Sequence, residues 1–276
     1  MTIFLKILRN YILTLTFILC FSCSVNPFTG KKTLAFVPNS KILPMSFSEY
    51  DKFLSENDVV ENSKNSKLIK KVGQRISDAA KLWLDTNNFQ GYLKNYQWEY
   101  NLINDETINA WCMPGGKIVF YTGILSIAEN ETGIAAIMGH EVAHALANHG
   151  QQRLSAGLLQ QVGAILGNLS IEDEEHRAIF NTAYGVTSTY GAMLPFSRFH
   201  ENEADKIGLY IMAIAGYNPY EAHRLWERMR DFNKGKKSPP EFLSTHPSNE
   251  NRIKNLKSLA SEAENIARKF GVNEFR

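Results

Sequence analysis

The stretch ETGIAAIMGHEVAHALAN, residues 131–148, contains His140, Glu141 and His144 in the pattern H-E-x-x-H. Asn130 precedes it and is a typical N-cap, so the pattern is predicted to lie within one helix. Residues four apart share a helix face, which allows both imidazoles to reach one metal ion. Glu141, one residue after the first histidine, is expected to contact a water molecule at that ion without binding the ion itself.

The helix that carries this pattern is apolar on several sides and is therefore predicted to be buried. A buried helix must satisfy the polar groups of two histidines and a glutamate, and a bound metal does so. Zinc, one ion per chain, is the expected metal because it binds imidazole and carboxylate groups in a tetrahedral site. The alternative is a pair of core histidines that are hydrogen-bonded to carbonyl groups.

A catalytic zinc site uses three protein ligands, so one ligand must come from another segment. The segment FHENEADKIG, residues 199–208, is predicted to be helical and contains the best candidates. Asp205 lies one turn beyond Glu201 and could accept the free N–H group of a ligand histidine, which would fix its tautomer. Spacing alone does not distinguish Glu201 from Glu203 or His200 as the third ligand.

The rest of the chain predicts further helices and a few strands. Residues 96–103 alternate in polarity, and residues 109–113 and 117–121 are two more predicted strands with the turn Pro114-Gly115-Gly116 between them. The predicted fold class is therefore α+β, one mainly helical domain with a small β-sheet. Residues 151–195 are predicted to form a helical pair that completes the core, with a lid over the cleft as the alternative.

Residues 1–22 are predicted to be a lipoprotein signal peptide. Lys6 and Arg9 supply the positive charges, residues 11–21 form the apolar run, and Cys23 is the predicted lipidation site. An uncleaved anchor helix over residues 3–23 is the alternative. Either interpretation places the rest of the chain outside the cytoplasm and at a membrane.

The predicted domain organisation follows from that leader. Residues 23–45 are expected to be a lipid-anchored lead-in, and residues 46–276 are expected to be a single domain. The whole chain has 30 Lys and Arg residues against 28 Asp and Glu residues, so no electrostatically driven binding of nucleic acid is expected. Its 3 cysteines are too few for a disulfide framework.

The H-E-x-x-H motif, followed about sixty residues later by E-x-x-A-D at 201–205, resembles the gluzincin zinc metallopeptidases related to the CAAX prenyl protease. Three further segments resemble their periplasmic lipoprotein branch, the BepA/LoiP-like proteins. These segments are VNPFTG at 25–30, NAWCMPGGK at 109–117 and STHP at 244–247. The resemblance implies a zincin-type fold whose edge strand lines the active-site cleft.

The resemblance also implies roles for individual residues. Glu201 would be the third zinc ligand beside His140 and His144. His246 would be a mobile catalytic histidine that approaches the metal or steadies the oxyanion, and Arg252 would be its paired catalytic arginine. The residues that would bind an extended substrate are Asn109, Ala110, Trp111, Cys112 and Met113.

The predicted function is a membrane-anchored zinc metalloendopeptidase in which zinc activates water and Glu141 acts as general base. Its expected substrates are unfolded or misassembled envelope proteins, at the periplasmic face of the outer membrane or, alternatively, at the inner membrane. Protein partners are not indicated. The alternative is a periplasmic holdase with a structural zinc, although such a site would not need Glu141.

Two other residues are assigned no catalytic role: His149 is predicted to be a cation near a helix C-terminus, and Cys112 has no base partner.

Overall fold

The computed structural model describes residues 23–247 and 250–276. The predicted signal peptide, residues 1–22, lies outside the described residues. Within the described ranges, each helix is too short or too polar to cross a membrane.

The strands are short and all lie in the first half of the chain. They are β1 (Cys23–Val25), β2 (Lys32–Leu34), β3 (Glu99–Ile103), β4 (Ala110–Met113) and β5 (Lys117–Tyr121). The α-helices before the middle of the chain are α1 (Asn39–Glu56), α2 (Lys64–Thr86), α3 (Leu125–Ala128) and α4 (Glu131–Leu146). Those after it are α5 (His149–Leu169), α6 (Glu174–Ser188), α7 (Leu194–Ile214), α8 (Tyr220–Asn233), α9 (Glu241–Thr245) and α10 (Glu250–Lys269).

The three predicted strands form one mixed sheet with the order β3–β5–β4. Strand β3 runs parallel to β5, and β4 runs antiparallel to it, with Trp111 opposite Val119. Strand β4 therefore has a free edge within the described structure. The mainly helical α+β fold with a small sheet is confirmed. A second, two-stranded sheet of β1 and β2 lies in the lead-in, and the predicted boundary at residue 45 lies within α1.

Helix α4 lies at the centre of the domain, and every residue from Gly133 to Leu146 is buried. Its N-terminus is capped as predicted, because the Asn130 side chain accepts hydrogen bonds from the backbone N–H groups of Thr132 and Gly133. This complete burial confirms the interpretation drawn from its apolar residues. The histidines and the glutamate of the motif are therefore removed from water.

Two glycines allow α4 and α7 to pack backbone against backbone. A Cβ atom built on Gly208 would lie 2.7 Å from the carbonyl oxygen of Gly139, and one built on Gly139 would lie 2.8 Å from that of Gly208. Both separations are shorter than a real Cβ contact, so only glycine fits at either position. This close approach brings the segment around Glu201 on α7 to the histidines of α4.

We expect Gly208→Ala to destabilise the domain and to weaken metal binding. The added methyl group has backbone as its neighbour and must push the helices apart, which typically costs about 1–3 kcal/mol. Thermal unfolding and zinc titration would measure both effects. Gly185→Ala on α6 is the matched control, because its Cβ meets nothing within 4 Å and helical alanine is favoured. Equal stability and metal affinity of the two variants would contradict the packing argument.

Helices α5 and α6 project from the domain and do not complete its core, so that prediction is wrong. Burial in α5 is confined to its first two turns, and α6 has no buried residue. The two helices pack mainly on each other, with Phe180 against Gly167 and Tyr184 against Gly163. Much of their apolar surface is exposed, including Val162, Ile165, Leu166, Leu169 and Ile179. Residues 151–195 are only weakly hydrophobic, and this property alone could not show whether the two helices pack on the core or extend away from it.

Candidate metal centre

Four buried side chains from three helical segments converge on one point. His140 and His144 lie one turn apart on α4, Glu201 lies on α7, and His246 follows the last residue of α9. Each of the four offers a ligand atom, and these atoms all lie within 4.8 Å of one another. The structure thus brings together residues that are up to 106 positions apart.

The separations between these donor atoms fit a tetrahedral metal ion. Nε2 of His140 lies 3.1 Å from Nε2 of His144 and 3.3 Å from Oε2 of Glu201. Oε1 of Glu201 lies 3.4 Å from Nε2 of His144 and has no hydrogen-bond partner among the described residues. Bonds of about 2.0–2.1 Å from zinc to nitrogen or oxygen give a tetrahedral edge of about 3.3 Å. The three side chains therefore fit a zinc-type ion.

The structure distinguishes the three candidates that spacing left open for the third ligand. Only Glu201 faces the two motif histidines. Glu203 instead lies 3.0 Å from His149, and His200 lies 3.0 Å from the side-chain oxygen of Gln152.

His246 occupies the place of a fourth donor. Its Nδ1 lies 3.1 Å from Nε2 of His140 and 3.0 Å from Oε2 of Glu201. Its Nε2 lies 3.5 Å from Oε1 of Glu141. In this arrangement the side of the cluster that faces Glu141 is covered by an imidazole.

Burial shifts the pKa values of two motif residues. It lowers the pKa of the His144 imidazole well below its usual range, and a neutral imidazole is the form that binds metals. Burial also raises the pKa of the Glu141 carboxyl, although the nearby imidazole of His246 opposes this effect. A carboxylate with a raised pKa is a stronger base, as proton abstraction requires.

Asp205 and Arg252 lie behind the cluster. Oδ1 of Asp205 lies 3.0 Å from Nδ1 of His140. Nε and Nη2 of Arg252 donate to the two carboxylate oxygens of Asp205 at 2.8 and 2.7 Å. Nη1 of Arg252 lies 3.3 Å from Oε2 of Glu201, and its guanidinium carbon is 4.0 Å from the centre of the Trp226 ring. Arg252 thus contacts two acidic residues of the site.

A comparison with protein-family models identifies the family. Residues 68–260 match the model of peptidase family M48, and this range includes the helices that carry His140, His144 and Glu201, together with His246 and Arg252. The chain belongs to peptidase family M48. The predicted relationship to gluzincin metallopeptidases is therefore confirmed.

Relatives of this M48 chain include proteases from fungi and bacteria. The chain is 35% identical over 204 residues to the mitochondrial metalloendopeptidase OMA1 of Saccharomyces cerevisiae, covering 72% of this chain and 56% of that protein. It is 35% identical over 173 residues to OMA1 of Schizosaccharomyces pombe, covering 62% and 49%. It is 30% identical over 168 residues to the beta-barrel assembly-enhancing protease of Escherichia coli K12, covering 58% and 34%. The chain spans about half the length, or less, of these relatives.

His149 of this M48 domain is not a cation at a helix C-terminus, so that prediction is wrong. Helix α4 ends at Leu146, and Asn148 adopts the left-handed conformation with φ of 56°. His149 therefore begins α5, where it is fully buried, and burial lowers the pKa of its imidazole. Its Nδ1 lies 2.9 Å from Nδ1 of His144. The sequence pattern did not indicate this contact, because it depends on the end of α4 and the left-handed turn at Asn148.

Strand β4 lies beside the M48 metal cluster. Burial, together with the charge of Glu141, raises the pKa of the Cys112 thiol well above its usual range, so Cys112 is not poised as a nucleophile. The indole of Trp111 packs on the opposite face of the sheet from Cys112, edge-to-face against Phe53 with ring centres 5.0 Å apart. Of the predicted substrate residues, Asn109 precedes the strand, and Ala110, Trp111, Cys112 and Met113 form it.

Proposed function

We propose that this protein is a membrane-anchored zinc metalloendopeptidase that hydrolyses unfolded or misassembled proteins of the cell envelope. The observation that carries the proposal is the tetrahedral spacing of the donor atoms of His140, His144 and Glu201, with the Glu141 carboxylate beside them. Membership of family M48 supports the class of reaction. Two kinds of relative support the class of substrate: one is named a metalloendopeptidase and the other a beta-barrel assembly-enhancing protease.

The donor set favours zinc over other divalent ions, because two imidazoles and one carboxylate are typical of catalytic zinc sites. When bound, zinc supplies Lewis-acid polarisation of the substrate carbonyl and of water. Glu141 then takes a proton from the attacking water and transfers it to the leaving amine.

His246 and Arg252 are proposed to have different roles at the cluster. Four protein donors are typical of structural zinc sites, whereas a catalytic site keeps one position open. His246 is therefore proposed to move aside when substrate binds and then to donate a hydrogen bond to the developing oxyanion. Arg252 has its donors directed at Asp205 and Glu201, so its proposed role is to hold these two carboxylates in place.

An extended substrate is proposed to pair with the free edge of β4. The backbone N–H of Tyr121 donates to the carbonyl of Asn109 at 3.1 Å, so alternate residues from Asn109 onward are hydrogen-bonded to β5. The N–H and C=O groups of Ala110 and Cys112 then point away from β5. A polypeptide that adds as a new strand would bond to these groups, which requires it to be unfolded locally.

The proposal is tested by comparing cleavage of an unfolded protein with cleavage of the same protein folded. Wild type should cleave reduced, alkylated α-lactalbumin and leave native α-lactalbumin intact. Cys112→Pro should reduce kcat/KM for the unfolded chain about tenfold, because proline removes an edge N–H that β5 does not use. Cys112→Val keeps that N–H and is the matched control.

Cleavage of unfolded and native α-lactalbumin at equal rates would contradict pairing with β4. So would equal kcat/KM for the proline and valine variants, provided that both variants retain the wild-type circular dichroism spectrum. Failure of wild type to cleave either substrate in the presence of zinc would contradict the peptidase itself.

The domain organisation and location are proposed together. Residues 1–22 would be removed as a signal peptide, Cys23 would be lipidated, residues 23–45 would link the anchor to the domain, and residues 46–276 would form the peptidase. Support comes from the basic residues, apolar run and cysteine of the leader, and from a bacterial relative that is named a beta-barrel assembly-enhancing protease. Mass spectrometry of the N-terminal peptide from membranes should show a lipid on Cys23, and an unmodified Met1 would contradict this.

A further inference from the structure

We propose that Thr29, Glu203 and His149 form a hydrogen-bonded relay that fixes the tautomer and orientation of His144. The loop between β1 and β2, which carries Thr29, is then a positioning element of the metal centre. This inference rests on the proposed function, because it requires that His144 binds the metal through Nε2.

The relay is continuous from the loop to the metal cluster. The Thr29 hydroxyl donates to Oε1 of Glu203 at 2.7 Å. The other oxygen of that carboxylate, Oε2, lies 3.0 Å from Nε2 of His149, and Nδ1 of His149 lies 2.9 Å from Nδ1 of His144. Glu203, His149 and His144 are all buried, so water does not compete for these contacts.

The direction of each hydrogen bond follows from the two ends of the relay. Glu203 is an acceptor at both oxygens, since the Thr29 hydroxyl donates to Oε1 and a carboxylate has no proton to give to Nε2 of His149 through Oε2. Nε2 of His149 must therefore carry the proton that it donates, which leaves Nδ1 of His149 as an acceptor. Nδ1 of His144 must then carry its proton and donate it. This leaves a lone pair on Nε2 of His144, directed at the metal cluster.

The two motif histidines are supported by different residues. His140 has its carboxylate directly behind it, because Nδ1 lies 3.0 Å from Asp205. The carboxylate that supports His144 is that of Glu203, which does so indirectly. The imidazole of His149 lies between Glu203 and His144. Glu203 and Asp205 lie two positions apart on α7, so one helix supplies both carboxylates. The sequence pattern E-N-E-A-D thus contains a proposed ligand and two supporting acids.

The loop holds Thr29 in a defined position. The Asn26 side chain accepts a hydrogen bond from the backbone N–H of Phe28 at 2.9 Å, and the Asn26 carbonyl accepts one from Gly30 at 2.8 Å. The Phe28 ring stacks on Trp83 with centres 4.2 Å apart, and the Lys31 ammonium lies 4.3 Å from the centre of the Phe199 ring on α7. These contacts explain why the segment VNPFTG at 25–30 lies against the domain although it contains no proposed ligand.

The test compares three variants for zinc affinity in the full domain. Glu203→Gln should weaken zinc binding about 10–100-fold, the usual effect of removing a carboxylate behind a ligand histidine. Its amide N–H₂ can face His149 and reverse the relay, which would place the His144 proton on Nε2. Thr29→Val removes the donor at nearly constant volume and should produce a smaller loss. Thr29→Ser keeps the hydroxyl and should bind zinc as wild type does.

The readouts are zinc affinity from competition with a fluorescent chelator, the histidine tautomers from ¹⁵N NMR of the zinc-loaded protein, and thermal unfolding of the metal-free protein. The relay predicts a proton on Nδ1 of His144 in wild type and weaker zinc binding in Glu203→Gln and Thr29→Val. A merely structural role would lower the unfolding temperature of the metal-free variants and leave zinc affinity unchanged.

Zinc affinities within twofold of wild type for Glu203→Gln and Thr29→Val would overturn the relay. If Glu203→Gln does not fold, the comparison of Thr29→Val with Thr29→Ser decides alone, and equal affinities for that pair would overturn it. Failure of wild type to bind zinc would instead contradict the proposed function, and the relay with it.

Discussion

Replacing Glu141 with glutamine is expected to lower kcat for cleavage of an unfolded polypeptide by about 10²–10⁴-fold, the usual contribution of a general base. The amide has nearly the shape of the carboxylate but cannot accept the proton of the attacking water. Zinc content should stay at the wild-type value, because Glu141 lies beside the donor atoms and contributes none of them. Quantitative casein cleavage and metal analysis of the same purified samples would measure both properties.

The control for Glu141→Gln is Glu174→Gln, a change of the same kind on the exposed face of α6. It should leave both cleavage and zinc content unchanged. Cleavage by Glu141→Gln at the wild-type rate would remove the general base from the mechanism. Loss of zinc from that variant would instead make Glu141 a ligand, which the distances do not indicate.

Glu201→Ala is expected to abolish both zinc binding and cleavage. The carboxylate is the donor that lies 3.3 and 3.4 Å from the two motif histidines, and it is the only negatively charged group among the four donors of the cluster. Zinc content measured by native mass spectrometry should fall from one ion per chain to near zero. Arg252 would also lose a carboxylate neighbour at 3.3 Å.

Lys206→Ala is the matched control for Glu201→Ala, because Lys206 is exposed on the same helix. It should keep one zinc ion and full activity. A Glu201→Ala protein that retains zinc with wild-type affinity would show that another residue is the third ligand. Circular dichroism of both variants separates loss of metal from loss of fold.

The motif helix could be predicted because the sequence features that specify it lie close together in the chain. The H-E-x-x-H spacing, the Asn130 cap and the apolar residues around them all lie within one stretch, and helix geometry alone puts His140 and His144 on one face. The strands and the tight turn between β4 and β5 are local features of the same kind. The α+β fold class follows from them.

The rest of the site depends on contacts between distant segments. Spacing left Glu201, Glu203 and His200 as equal candidates, because all three lie within one turn of the same helix. The resemblance favoured Glu201, and the structure brings it to the histidines through the contact of Gly139 with Gly208. Helical periodicity does not specify which faces of two helices meet.

The wrong predictions have physical causes of the same kind. His149 is a buried partner of His144 because α4 ends before it and Asn148 adopts a left-handed conformation, which no periodic pattern predicts. Helices α5 and α6 were predicted to complete the core, but they contact each other and leave much of their apolar surface exposed. Composition reports how much apolar surface a segment has, but not which surface will cover it.

Stepwise removal and return of zinc, with bound metal and cleavage of unfolded α-lactalbumin measured on each sample, tests the metallopeptidase account most directly. We expect activity to fall in proportion to bound zinc, to reach zero in the metal-free protein, and to return fully when one ion per chain is restored. Cleavage that persists in the metal-free protein, or that recovers only after two or more ions bind, would contradict it.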